Sequence, residues 1–118
     1  MNWLPLHLDE QLNDIDLLSQ QNEIKAVVLF KHSTRCSISS VALNRLERSW
    51  NLTNDTVPTY FLDLLNFRNI SNHIAEKYAV PHQSPQAIVI KNGKCIYSAS
   101  HSDISVADIE AAIFSNER

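Results

Sequence analysis

The sequence contains one glycine, two cysteines and no long apolar run, and these scarcities exclude several classes of protein. No apolar stretch approaches the roughly 20 residues that a membrane-spanning helix needs. With 10 Lys and Arg against 13 Asp and Glu, the net charge of -3 offers no basic surface for nucleic acid or an anionic membrane. The opening residues show no basic segment followed by an apolar one, so we expect no signal peptide and a cytoplasmic location.

The two cysteines, Cys36 and Cys95, are too few for a disulfide framework or for the usual four-ligand zinc site. In a reducing cytoplasm both should be free thiols, and the question is whether one of them is reactive. The rest of the composition is that of a globular protein, with 118 residues, 44% hydrophobic and 19% charged. We therefore expect a single domain over residues 1–118, acting as a monomer.

The pattern of apolar residues predicts alternating strands and helices. Residues 26–30 form an uninterrupted apolar run, which predicts a central parallel strand covered on both faces. Asn92 and Gly93 separate two strand-like segments and predict a type I′ hairpin. Strands are expected at residues 3–6, 26–30, 58–62, 86–91 and 94–98, and helices at 8–20, 36–50, 70–78 and 105–115.

This order predicts an α/β protein with a mixed central sheet, in which parallel N-terminal strands meet a C-terminal β-hairpin and helices cover both faces. It is the element order of the thioredoxin fold. Apolar residues also recur on one side of the second predicted helix, and we expect that side to be buried. It comprises Ile38, Val41, Ala42, Leu46 and Trp50.

Cys36 falls at the junction of the buried strand and the second helix. A sulfur at a helix start faces unpaired N–H groups and the positive end of the helix dipole, and both favour the thiolate. Lys31 and Arg35 add positive charge nearby. Ser39 stands where a dithiol oxidoreductase carries its second cysteine, so the motif is C-x-x-S. A lone thiol can form a mixed disulfide, but a second thiol from solution must resolve it.

Two segments together resemble the monothiol bacilliredoxins of the YtxJ-like branch. One is 30–40, which contains the C-x-x-S motif, and the other is 82–86, which stands directly before an apolar strand. The likeness extends over essentially the whole chain. In thioredoxin-like proteins the proline matching Pro85 is cis and lies beside the active cysteine, and the residue before it pairs with the substrate backbone. One departure is Ser37, where many relatives have proline.

The resemblance implies an enzyme that removes bacillithiol, a low-molecular-weight thiol, from S-thiolated proteins. Cys36 would attack the protein–bacillithiol disulfide, and free bacillithiol would regenerate the enzyme as thiol co-substrate, with no bound cofactor or metal. Bacillithiol carries carboxylates, which suit a basic loop formed by Lys31 and Arg35. The residues predicted to contact substrate are His32, Arg35, Ser37, Ser39, Ser84, Pro85 and Gln86.

Other interpretations of the same residues stay open. A non-catalytic adaptor that binds an extended peptide along the Pro85 edge is the main alternative. A monothiol glutaredoxin with an iron–sulfur cluster is disfavoured, because the C-G-F-S motif and a late glycine pair are absent. A metal site built from His32, Cys36 and His82 is conceivable, but the motif offers no second cysteine.

The other candidate site residues are two histidines and the second cysteine. His82 and His101 flank segments that return to the proline, so they either line the site or are ordinary exposed histidines. With a two-residue hairpin turn, Cys95 pairs with Ile90 and lies roughly 17 Å from Pro85. A disulfide needs Cα atoms within about 7 Å of each other. We therefore predict that Cys95 is an unreactive sheet residue.

Overall fold

Strands and helices alternate in the predicted order in the computed structural model, which describes residues 1–115. Residues 116–118 of the expected domain lie outside this part of the chain. Within the described residues no helix is long and apolar enough to cross a membrane. The strands are β1 (Leu4–Pro5), β2 (Val27–His32), β3 (Thr59–Asp63), β4 (Gln86–Lys91) and β5 (Lys94–Ser100); the helices are α1 (Gln11–Leu18), α2 (Ser37–Ser49), α3 (Arg68–Tyr78) and α4 (Val106–Phe114), with a short 3-10 helix at His101–Asp103.

The five strands form one mixed sheet in the order β1-β3-β2-β4-β5. β3 pairs in parallel with both β1 and β2, whereas β4 is antiparallel to β2 and to β5. All six residues of the central strand β2 are buried, because a strand covered on both faces has no solvent side. The predicted sheet of parallel N-terminal strands and a C-terminal hairpin is confirmed.

Side chains of β2 alternate between two apolar cores, since successive residues of a strand point to opposite faces. Val27 and Leu29 pack in the core that α1 and α3 cover. Val28 and Phe30 pack in the core that α2 and α4 cover. The same alternation sends Lys31 toward the α3 side and His32 toward the α2 side.

The type I′ hairpin turn predicted from the sequence is present. Asn92 and Gly93 both have positive φ (53° and 74°), as a type I′ turn requires. Ile90 pairs with Cys95 across the hairpin, next to an irregularity in the ladder. The hydroxyl of Ser105 accepts the N–H of Asp108 at 3.1 Å and caps α4.

Most elements begin or end one to three residues away from the predicted positions, and two of these differences have a clear cause. β2 runs on to His32, two polar residues past the apolar run, because β3 and β4 keep pairing with it. α1 begins at Gln11 and not at Leu8. The side-chain oxygen of Gln11 accepts the N–H groups of His7 and Leu8, each at 2.8 Å, which holds those residues outside the helix.

The predicted buried side of α2 is only partly correct. Its buried stripe consists of Ser39, Ala42 and Leu46, and Ile38 and Val41 are 51% and 55% exposed. At 100° per residue, Ile38 and Val41 fall to one side of the stripe that the other three define. Apolar surface is therefore open to solvent within the first two turns after Cys36.

Candidate active site

Three segments meet where β2 ends. The chain leaves β2 at His32 and reaches Cys36 through a short loop. β4 begins at Gln86 beside the last residues of β2, so Pro85 lies at the same end of the sheet. The N–H of His101, directly after β5, donates to the Pro85 carbonyl at 3.1 Å. The peptide bond before Pro85 is cis, as the resemblance implies.

Cys36 is the N-cap residue of α2. Its N–H donates to the carbonyl of Ser33 at 3.1 Å, and its own carbonyl accepts the N–H of Ser40 at 3.2 Å. The thiol is free and half-buried, and it makes no capping hydrogen bond. A sulfur in this position lies at the N-terminal end of the helix. The unpaired N–H groups of the first turn point toward that end.

Ser39 links the loop at residues 33–36, which we call the active loop, to a buried histidine. Its hydroxyl accepts the N–H of Ser33 at 3.1 Å and lies 2.7 Å from Nδ1 of His32. Ser39 is fully buried and His32 is 5% exposed. A buried hydroxyl proton needs an acceptor, so we assign the Ser39 O–H as the donor to Nδ1 and the imidazole proton to Nε2.

The surroundings of His32 keep its ring neutral. The ring centroid lies 6.0 Å from that of Phe30 and 5.3 Å from that of Phe61. Burial lowers the pKa of His32 below its ordinary 6.5, although the carboxylates of Asp63 and Glu47 act in the opposite direction. A neutral ring is what the hydrogen bond from Ser39 requires.

Ser39→Ala is expected to destabilise the fold by about 1–3 kcal/mol, because it leaves His32 Nδ1 and the Ser33 N–H without their partner. The matched control is Ser40→Ala, which removes an exposed hydroxyl from the same turn and should change stability by less than about 0.5 kcal/mol. Urea unfolding of both variants measures the difference. Equal effects would show that the Ser39 hydroxyl contributes nothing beyond its helix position.

Lys31 does not belong to a basic surface loop, and that prediction is wrong. Its side chain is 0% exposed. Its amino group donates to the carbonyl of Ser71 in α3 at 3.3 Å and lies 3.3 Å from Nδ1 of His82. The sequence held a signal for this: a lysine that continues a strand covered on both faces must point under a helix. Arg35 is the exposed basic residue of the loop.

Lys31, Ser71 and His82 form a polar group that we call the Lys31–His82 cluster; Lys31 and Ser71 are fully buried and His82 is half-buried. The hydroxyl of Ser71 lies 3.0 Å from Nδ1 of His82. Burial lowers the pKa of Lys31 from 10.5 to about 8. Burial also lowers the pKa of His82, and the positive charges of Lys31 and Arg68 lower it further. Nothing in the sequence pattern indicated that Ser71 takes part.

The segment 81–85 is also held from within by Gln86. The side-chain amide of Gln86 donates to the carbonyl of Pro81 at 3.1 Å and accepts the N–H of Gln83 at 3.4 Å. Gln86 is buried, so its side chain holds the backbone of this segment from the interior of the protein. Ser84 differs, since its hydroxyl oxygen is buried without a hydrogen-bond partner among residues 1–115.

The predicted substrate-contacting residues thus fall into two groups. Some are accessible at the surface. The others are buried beneath it, and they can influence substrate binding only through the residues that cover them. Arg35 and Ser37 are exposed and Ser84 is half-buried; His32, Ser39, Pro85 and Gln86 are buried.

An apolar groove of about 230 Å³ opens beside the start of α2. Ile38 and Val41 form one wall, and His101 and Ser102 belong to the other. The guanidinium of Arg45 donates to the carbonyl of Ser102 at 3.1 Å and ties the two walls together. The groove begins one residue after Cys36, at Ser37.

Cys95 lies apart from this end of the sheet. It is half-buried on β5, opposite Ile90. Burial raises the pKa of its thiol, although a hydrogen bond with the backbone of Tyr97 acts in the opposite direction. A thiol that resists ionisation is a poor nucleophile, which agrees with the unreactive role predicted for it.

The three residues of the conceivable metal site do not converge. His32 points toward α2, whereas His82 contacts Lys31 on the opposite face of the sheet. In the part of the chain that the structure describes, no group of three or more His, Cys, Asp or Glu residues could hold a metal ion.

A free cysteine at a helix start and a cis-proline segment at the same end of a mixed sheet define a thiol oxidoreductase with the thioredoxin fold. Solved structures are similar over nearly the whole chain. A putative oxidoreductase with a thioredoxin fold is 30% identical, with 92% of this chain and 91% of that chain covered and a TM-score of 0.73. Thioredoxin from Malassezia sympodialis is 18% identical (99% and 92% covered, TM-score 0.71), and thioredoxin f2 from Chlamydomonas reinhardtii is 15% identical (98% and 97%, TM-score 0.66).

The sequence comparison narrows this class to one family. The family model described as "Monothiol bacilliredoxin BrxC" matches residues 6–109. The chain belongs to this bacilliredoxin family.

Proposed function

We propose that the protein is a cytoplasmic, monomeric monothiol oxidoreductase that removes bacillithiol, or a similar low-molecular-weight thiol, from protein mixed disulfides through Cys36. The observation that carries the proposal is the placement of Cys36 as a free thiol at the N-cap of α2. Ser39, at the position of a second cysteine, turns its hydroxyl inward to His32. Membership of the bacilliredoxin family supports the choice of thiol.

The exchange takes place in two balanced steps. The Cys36 thiolate attacks the bacillithiol sulfur of the target disulfide, a new S–S bond forms to Cys36, and the target cysteine leaves as a thiolate that takes a proton from water. The thiolate of a free bacillithiol then attacks the captured bacillithiol sulfur. This step releases bacillithiol disulfide and restores the Cys36 thiolate.

Surface groups around Cys36 suit the two halves of such a substrate. The exposed guanidinium of Arg35 can pair with the carboxylates of bacillithiol. Ser84, directly before the cis peptide bond to Pro85, is the residue whose backbone the resemblance predicts to pair with a bound chain. The exposed side chains of Ile38 and Val41 offer apolar contact to the protein part of the disulfide.

The proposal is tested by intact mass spectrometry of the reduced protein mixed with a bacillithiolated target. The expected result is a mass gain on this protein equal to one bacillithiol, with matching loss from the target. A glutathionylated sample of the same target serves as the comparison. Slower transfer of glutathione than of bacillithiol would show that the enzyme is selective for bacillithiol. Failure of any adduct to move, although iodoacetamide alkylates Cys36, would contradict the proposal. Stable binding of the target without transfer would favour the peptide-binding adaptor.

A further inference from the structure

The Lys31–His82 cluster fastens the segment before the cis-proline to the body of the protein. His82 lies three residues before Pro85 in a segment without regular secondary structure. Its Nδ1 atom is within reach of two donors, the Lys31 amino group at 3.3 Å and the Ser71 hydroxyl at 3.0 Å. One donor comes from β2, which leads to Cys36, and the other from α3.

The amino group of Lys31 is unfavourable for folding. It is fully buried, and desolvation disfavours its charged form. Its two bonding partners also have bonds elsewhere, since the Ser71 carbonyl lies inside α3 and His82 has the Ser71 hydroxyl. An apolar side chain of similar length fits a strand under a helix without this cost. What the amino group adds is the direct link between β2 and His82.

We propose that Lys31 and His82 are positioning residues for thiol exchange at Cys36: their hydrogen bond holds segment 81–85 against β2, so that Ser84 and Pro85 stay in register with the active loop. The inference rests on the proposed function, since it assigns to these residues a role in positioning the segment of that same site that is expected to contact substrate. Neither side chain touches the reacting sulfur atoms.

The charges around His82 give this link a pH dependence of known sign. The charged groups that act on the ring are Lys31 from β2 and Arg68 from α3. A lysine ammonium is a donor only, so Nδ1 must accept and the ring must be neutral. Protonation turns Nδ1 into a donor and places a second positive charge against Lys31. The link should therefore weaken in acid, at a pH below 6.5, because the pKa of His82 is lowered from that value.

The experiment compares His82→Leu with His82→Asn, whose side-chain oxygen can accept a hydrogen bond where Nδ1 lies but does not titrate. The control is His73→Leu, which removes an exposed histidine of α3 that pairs with Asp9. Three measurements are made on each full-length protein: KM and kcat for the bacillithiolated target across pH, the rate of Cys36 alkylation by iodoacetamide, and amide hydrogen exchange of residues 82–84.

His82→Leu is expected to raise KM about tenfold, the effect of losing one part-buried hydrogen bond of about 1.4 kcal/mol, and to speed exchange at residues 82–84. Alkylation of Cys36 should not change. His82→Asn should keep the wild-type KM at neutral pH and lose the rise in KM that the wild type shows in acid. His73→Leu should match the wild type throughout.

A wild-type KM or wild-type exchange for His82→Leu would overturn the positioning role, and so would a His82→Asn variant as impaired as His82→Leu. A wild-type protein that accepts no bacillithiol contradicts the proposed function instead. The two failures are distinct, because the exchange measurement does not depend on activity.

Discussion

Replacing Cys36 by serine is expected to abolish bacillithiol transfer completely, whereas Cys95→Ser should transfer at close to the wild-type rate. A serine hydroxyl stays protonated at neutral pH and cannot form the S–S bond on which the exchange depends. Cys95 is half-buried opposite Ile90, and burial raises the pKa of its thiol. The measurement is a time course of intact mass for each variant with the bacillithiolated target.

The two variants control each other, since each keeps one of the two thiols. An adduct on Cys36→Ser would show that Cys95 is reactive despite its place in the sheet. Loss of the second turnover in Cys95→Ser, with the first adduct still formed on Cys36, would show that Cys95 resolves the mixed disulfide. The first result would contradict the assignment of transfer to Cys36 alone, and the second would exclude the monothiol mechanism.

Lys31→Met is expected to stabilise the fold by about 2 kcal/mol at neutral pH, because it removes a buried ammonium and leaves a side chain of similar length. The pKa of Lys31 is lowered from 10.5 to about 8, which corresponds to a penalty of about 3 kcal/mol for the charged form; part of it is offset by the lost hydrogen bonds. The penalty is fully present below pH 8. Between pH 8 and 10.5 the unfolded chain binds a proton that the native chain has lost, so the wild type gains stability as the pH rises.

Urea unfolding of wild type and Lys31→Met at several pH values tests this linkage. The stability difference should shrink as the pH rises from 8 toward 10, and comparing the two proteins removes the contribution of the tyrosines. Lys94→Met, on an exposed lysine of β5, should change stability by less than about 0.5 kcal/mol. A destabilised Lys31→Met variant would mean that the hydrogen bonds outweigh the desolvation of the ammonium.

The same variant separates stability from function. If Lys31 positions the cis-proline segment through His82, Lys31→Met should raise KM for the protein substrate while it raises the free energy of unfolding. A lysine that costs stability and improves substrate binding is the trade-off expected of a residue kept for function.

Local patterns were enough to predict the fold. The apolar run at 26–30 predicts the central strand because apolar side chains on both faces require cover on both faces. Asn92 and Gly93 predict the hairpin because their backbone adopts positive φ at little cost, and this turn in turn places Cys95 opposite Ile90. The exact ends of β2 and α1 were not predictable in this way, because pairing across the sheet and the Gln11 side chain set them.

The exposed side of α2 shows the limit of periodicity. Ile38 and Val41 share the apolar spacing of Ala42 and Leu46, yet only the latter two are buried. Periodicity identifies which residues could face a core, whereas the position of the helix over the sheet decides how wide the covered stripe is.

The sequence by itself determined the order of elements, the place of Cys36 at a helix start and the C-x-x-S motif, because each depends on residues close together in the chain. Tertiary structure alone decided the direction and partners of the side chains around it. Lys31 and His32 are neighbours in sequence, but the pleat of β2 sends one to His82 and the other to Ser39. Their burial, and therefore their lowered pKa values, depend on α3, α2 and the segment before Pro85, which only the fold brings over β2.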